Sequence, residues 1–302
     1  MGVIRNIQWI VGRQRVTTVI PVVLLLIIVL AGIFAPLLAP NDPNFVDLSH
    51  KLQGPSPQFP LGTDQLGRCL LSRLLYGTQV SLSLALLIVT ACVSIGLVIG
   101  SLAGYTGGKV DGIIMRICDA ILAIPSLILA ISLIAIWGAG WKQMAIALII
   151  VQSVYYTRFI RGMVVNLKQQ TYVVAARIMG TSPVRMVTRH IIPNLLPSLF
   201  IVVTLEIGWV IMDISALSFL GLGVQAPTPE WGAMINEGKT FIRSHPRLII
   251  APGVIILCVV ALLNIIGETL GDKNGKAIPM RKAAKHSNKL KGGQHEREGN
   301  HS

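Results

Sequence analysis

Met144-Ala145-Ile146-Ala147-Leu148-Ile149-Ile150-Val151-Gln152-Ser153-Val154-Tyr155-Tyr156-Thr157 is uncharged and mostly apolar. Whether it crosses a membrane decides the fold. A bilayer core of roughly 30 Å takes about 20 residues of α-helix, so this run alone is short. It reaches spanning length only if the helix continues past Arg158 towards Val165. Its neighbours need no extension: Val19–Leu38, Val80–Ala103, Ile117–Trp137, Leu195–Leu222 and Leu248–Gly267 are long apolar runs. With the central run included, the chain reads as an all-α polytopic membrane protein with six transmembrane helices.

Basic residues set the orientation. With six spans and the N-terminus inside, 19 of the 26 Lys and Arg fall on inside segments. Seven remain outside: Lys51, Arg68, Arg73, Lys142, Lys239, Arg243 and Arg247. That split follows the positive-inside rule. Without the short central span, the C-terminal third would face the wrong way. The stretches Ala39–Gln79 and Val224–Arg247 then read as outer loops. Trp137, Trp141 and Trp231 fall near outer boundaries, where an indole suits the membrane interface. Val19–Leu38 follows Arg13 and Arg15 and reads as a retained anchor, since no small-residue cleavage site follows it.

Composition agrees. Of 302 residues, 53% are hydrophobic and 13% charged, and the mean hydropathy is +0.68. Soluble domains carry about a quarter charged residues, so a cytosolic enzyme, a disordered chain and a secreted disulfide scaffold are excluded. The net charge of +13 is read as membrane orientation, and no nucleic acid is expected. Cys92, Cys118 and Cys258 lie in apolar runs, and Cys69 stands apart. They read as free thiols, with no metal site.

No catalytic constellation is present. Ala103-Gly104-Tyr105-Thr106-Gly107-Gly108-Lys109 resembles a phosphate loop only superficially: a Walker loop needs Gly, four residues and Gly-Lys-Ser/Thr, and positions 103 and 110 are Ala and Val. The chain is therefore not expected to hydrolyse ATP or bind a cofactor. No zinc-protease motif or nucleophile elbow occurs. Gly96, Gly100 and Gly104 recur every four residues, which puts a smooth stripe on one helix face. The stripe serves packing either within one subunit or between subunits.

Three acids interrupt the apolar runs. An ionised Asp at a helix centre costs about 2.5–3.5 kcal/mol on insertion scales, so Asp119, Glu206 and Asp213 need partners, protons or water. Asp119 can pair with Arg116, one turn earlier. Glu206 and Asp213 are two turns apart and share a face. That face either holds structural pairs between spans or lines a path for a polar or cationic solute.

Tyr172–Asn194 reads as two short helices with a break on the inside. Gly180 suits a left-handed helix stop, Thr181 or Ser182 a cap, and Pro183 a first turn. Pro193 is expected to end the second helix. Ala175 and Ala176, beside Arg177, give a small surface able to lie in a partner's groove.

Ala175-Ala176, Gly180 and Ile191-Ile192-Pro193 at this spacing resemble the "EAA" loop of binding-protein-dependent ABC importer permeases. Leu61-Gly62-Thr63-Asp64-Gln65-Leu66-Gly67-Arg68, Leu71-Ser72-Arg73-Leu74 and Met115-Arg116-Ile117-Cys118-Asp119 match further motifs. Ser218-Phe219-Leu220-Gly221-Leu222-Gly223 and Pro227-Thr228-Pro229-Glu230-Trp231-Gly232 match as well. Together they resemble the second, "C" type permease subunit of dipeptide, oligopeptide and nickel importers, over nearly all of residues 17–272. Val174 replaces the glutamate that names the loop, and Cys69 stands where Asp is usual.

The resemblance implies a bacterial cell-membrane protein with both termini cytoplasmic. It implies a second homologous permease, two cytosolic ATPases that use the ATP, and an extracytoplasmic solute-binding protein. Coupling to the ATPase is expected at Ala175, Ala176, Arg177, Gly180 and Pro183. The substrate is read as short peptides, with nickel or a metal chelate as the alternative; an intramembrane enzyme or a passive channel is the reading from another class. The chain divides into residues 1–79 (first span and outer linker), 80–271 (a five-span core with a coupling loop at 166–194) and 272–302 (a basic tail without the apolar residues to build a core).

Overall fold

The computed structural model describes residues 19–273, and expectations for the first residues and for the basic tail lie outside them. Helix dominates. α1 (Val19–Ile33) and α2 (Ala35–Leu38) lead into an outer segment without regular structure apart from a short 3₁₀ turn. α3 (Leu70–Thr106), α4 (Gly108–Leu122), α5 (Ser126–Trp137) and α6 (Trp141–Lys168) follow. The inner loop holds α7 (Thr171–Ile178) and α8 (Pro183–Arg185). α9 (Ile192–Phe219), α10 (Trp231–Gly238) and α11 (Arg247–Lys273) complete the fold.

Four continuous helices among the described residues are long and apolar enough to cross a membrane: α3, α6, the run Pro183–Phe219 that includes α9, and α11. α4 and α5 qualify only together and meet at 85°, and α1 is shorter. The central run that decides the fold is a 28-residue helix that continues past Arg158 to Lys168.

Several expected boundaries move. The run Ile117–Trp137 is not one helix. Pro125 forces extended backbone on the residue before it, and the chain breaks between Leu122 and Ser126. α3 begins at Leu70, so the expected division at residues 79 and 80 falls inside a helix. Pro193 ends nothing: it lies inside the continuous helical run Pro183–Phe219, just past a π-helical turn. A π-helical turn, Met186–Ile191, joins α8 to α9 and absorbs the irregularity.

The core runs along α3, α6 and α9, with α11 against α9 and α10 tucked beneath both. Ile88, Cys92, Ile134, Tyr156, Ile160, Val210 and Ile211 are buried at its centre. Outward residues are as apolar as inward ones: Val98, Ile128 and Leu257 are exposed. That is the pattern for helices surrounded by lipid.

The glycine stripe explains the α3–α6 contact. A Cβ at Gly96 would lie 2.7 Å from the Cβ of Tyr156, and one at Gly100 2.6 Å from the Thr157 carbonyl oxygen. At Gly104 it would meet Arg161 O and Val164 Cβ, both at 2.9 Å. The stripe packs helices within this subunit.

Candidate functional site

The inner loop is shaped by its caps. α7 ends in a Schellman motif: Thr181 N–H donates to Ala176 O at 3.2 Å and Gly180 N–H to Arg177 O at 3.0 Å. Gly180 takes φ +82°, which only glycine adopts without strain. Ser182 occupies the N-cap position and Pro183 the first turn of α8. Val173 and Ala176 are buried in the chain's own core. Ala176 therefore seats the helix and is not part of the exposed surface expected from the sequence. Ala175, Arg177, Gly180 and Pro183 remain exposed. Beside them stand Ile178, Met179 and Val184, 82%, 79% and 75% exposed, which the sequence reading did not single out. Arg177, Arg185 and Arg189 flank this apolar ridge.

The three acids separate into two environments. Asp119 is exposed and pairs with Arg158 of α6 at 2.6 Å, not with Arg116. In the first turn of α4, Asp111 forms a two-pronged pair with Arg161, whose Nε donates to Oδ1 at 2.9 Å. These contacts fasten α4 to α6. Asp213 lies within α9 and accepts from Gln152 Nε2 of α6 at 2.8 Å. Glu206 lies beside the Tyr155 hydroxyl. Both acids are half-buried, so the structure brings Glu206 and Asp213 to one α6–α9 face and leaves Asp119 elsewhere.

A buried ion cluster ties the segment before α3 to α10. Arg68 Nε donates to Asp64 Oδ2 at 2.6 Å, and Arg73 Nη2 to Glu237 Oε2 at 3.0 Å. Arg68 also reaches Glu237, and Arg73 lies 3.6 Å from Asp64. Both guanidiniums are 2% exposed or less, which is tolerable only because each has two carboxylate partners. Asp64 Oδ1 also accepts from the backbone N–H of Leu66 and Arg68. The motif around Asp64 and Arg68 was legible; Glu237, supplied from α10, was not.

Glu230 caps α10, accepting from the backbone N–H of Gly232 and Ala233 at 3.0 and 2.9 Å and from Ser81 at 3.2 Å. Burial pushes its carboxyl above the ordinary value despite these donors. The neighbouring Trp231 is fully buried, so it is a core residue and not an interfacial indole. The glycine-rich motif after α9 is a second Schellman stop: Gly221 N–H donates to Ser218 O and Leu222 N–H to Leu217 O, both at 2.9 Å.

Residues 96–276 match the family model described as the binding-protein-dependent transport system inner membrane component, and residues 13–55 match the N-terminal TM domain of oligopeptide transport permease C. A dipeptide transport system permease protein of Alkalihalophilus pseudofirmus is 38% identical over 86% of this chain and 86% of its own. A glutathione transport system permease protein of Pectobacterium atrosepticum is 40% identical over 86% of each chain. A nickel transport system permease protein of Escherichia coli K12 is 38% identical over 77% of this chain and 84% of its own. Among solved structures, the inward-facing MetNI methionine ABC transporter matches with a TM-score of 0.52 and 22% identity, over 66% of this chain and 94% of that one. This last likeness concerns the fold. The chain belongs to the inner membrane components of binding-protein-dependent transport systems.

Proposed function

We propose that this chain forms half of the translocation channel of an ATP-driven importer of short peptides. A second homologous permease supplies the other half, and an extracytoplasmic solute-binding protein delivers the substrate. Two cytosolic ATPases dock on the inner loop and use the ATP. Both chain termini lie in the cytoplasm.

The observation that carries this reading is the exposed apolar ridge Ile178–Met179–Val184, fixed by the Gly180 stop and bordered by arginines. A soluble loop gains nothing from three such side chains in water, whereas a partner's groove buries them. The buried Val173 and Ala176 tie this ridge to the membrane helices, so a push on it moves α6 and α9 as a lever. Val174 contributes no acidic contact, and apolar burial with the flanking Arg177 and Arg185 takes its place.

The peptide reading draws support from relatives named for dipeptide and glutathione transport. The relative named for nickel transport favours metal as the second reading. Replacement of Ile178 and Met179 by Asp tests the docking. In the purified complex, ATPase association and binding-protein-stimulated hydrolysis should fall at least about tenfold, since each buried Leu-sized side chain is worth roughly 1.5–3 kcal/mol. Unchanged hydrolysis would remove the ridge from the interface. Vesicles should take up labelled dipeptide only with ATP; uptake of nickel alone would select the second reading, and ATP-independent uptake a passive channel.

A further inference from the structure

We propose that the α6–α9 face carrying Gln152, Tyr155, Glu206 and Asp213 is a station for the primary ammonium group of a passing solute, such as the free amino terminus of a peptide. It rests on the reading that this chain lines a translocation path.

Gln152, Tyr155 and Glu206 lie near the middle of α6 and α9, and Asp213 lies towards the C-terminal end of α9 on the same face. Among the described residues, neither Glu206 nor Asp213 has a basic side chain within ion-pair distance. Their nearest polar neighbours are Gln152 and Tyr155. The surplus is in acceptors. Gln152 commits its amide N–H to Asp213 and leaves Oε1 buried without a donor. An ammonium group brings three donors and one positive charge, which is what this set lacks.

Glu206 and Asp213 are partly exposed on a membrane-spanning helix, where a charged carboxylate against lipid is costly, so the face is read as meeting water or protein. Tyr155 and Trp209 are 41% and 57% exposed, and Trp209 falls between the acids on the helical net. Aromatic faces beside carboxylates suit an organic cation. A metal ion fits poorly. Seven residues of helix separate the backbones of Glu206 and Asp213 by roughly 10.5 Å along the axis, too far for both to chelate one hard cation at about 2.0–2.6 Å, whereas an ammonium needs only one of the two carboxyls at a time. No group of three or more metal-ligating side chains occurs among the described residues.

The test uses the assembled importer with Cys258→Ser, which removes the exposed native thiol. Trp209→Cys, or Tyr155→Cys if the first does not assemble, is treated with trimethylammonioethyl and with sulfonatoethyl methanethiosulfonate. Rates are normalised to a free thiol. The cationic reagent should react at least about tenfold faster, the gain expected of a focused negative site. Alaninamide should slow it and neutral N-acetylalaninamide should not, and Glu206→Gln with Asp213→Asn should erase the preference. Equal rates for the two reagents would overturn the ammonium station while leaving the path intact. No reaction with either reagent at both positions would mean that the face is sealed against a partner, and the path reading would fall with it.

Discussion

A methyl group added at Gly100 would sit 2.6 Å from the Thr157 carbonyl oxygen, which belongs to helix backbone and has little freedom to move. Gly100→Ala should therefore destabilise the subunit by about 1–3 kcal/mol through overpacking. Gly162, in α6, has nothing within 4 Å of its would-be Cβ. Gly162→Ala should instead stabilise by about 0.5–1 kcal/mol through helix propensity. Unfolding midpoints of the two variants in detergent check both signs. The repeat of glycines every four residues was readable because helical spacing alone defines a face. Spacing does not say what covers that face, and Tyr156, Thr157 and Arg161 became its partners only in three dimensions. Trp231 shows the same limit. An indole after a Pro-rich loop suits a membrane boundary, but Ser81, 150 residues earlier, accepts its backbone N–H and holds it in the core. Ala176 was read as part of a small exposed surface, but it faces inward, with Val173, one turn before it, seating α7 on the same core.

At the scale of elements, charge pairs decide how α4 lies on α6. Asp111 and Arg161 meet as a fork, and the carboxylate side chain is 14% exposed. Asp119 and Arg158 make a single contact with both side chains 57% exposed. Bidentate, partly shielded pairs are the stronger kind, and solvent-exposed pairs contribute about 0–1 kcal/mol. Double-mutant cycles should give a coupling above roughly 1 kcal/mol for Asp111–Arg161 and less than half of that for Asp119–Arg158. Equal couplings would show that both ends of α4 are held alike. Six helical regions could be read from hydropathy, including the central helix that had to outrun its apolar stretch. The break at Pro125 was passed over because hydropathy continues undiminished on both sides of it. The proline itself carried the signal, through its restriction of Ile124. Pro193 carried the opposite lesson: the helical run continues through it, because the π turn just before it takes up the irregularity.

For the whole molecule, the surplus of basic residues on one side predicts the orientation. Lys51→Cys lies on an exposed outer segment and Thr188→Cys on the exposed inner loop. An impermeant maleimide should label the first in intact cells and the second only after permeabilisation; labelling of both from one side would overturn the topology. Family motifs marked the outer segment, the inner loop and the turn after α9. The outer ion cluster stayed hidden because its members come from distant stretches of chain, and no local pattern joins Arg68 to Glu237.

That separation has a consequence for synthesis. Arg68 emerges from the ribosome 169 residues before Glu237. At about 5–20 residues per second, its second carboxylate partner arrives roughly 10–30 s later. Until then Arg73 also lacks its shorter contact, and the outer segment cannot close over two desolvated cations. The last third of the chain thus acts as a proof of completeness: a nascent or truncated subunit that stops before α10 stays unlatched on the outside, open to water and to quality-control proteases.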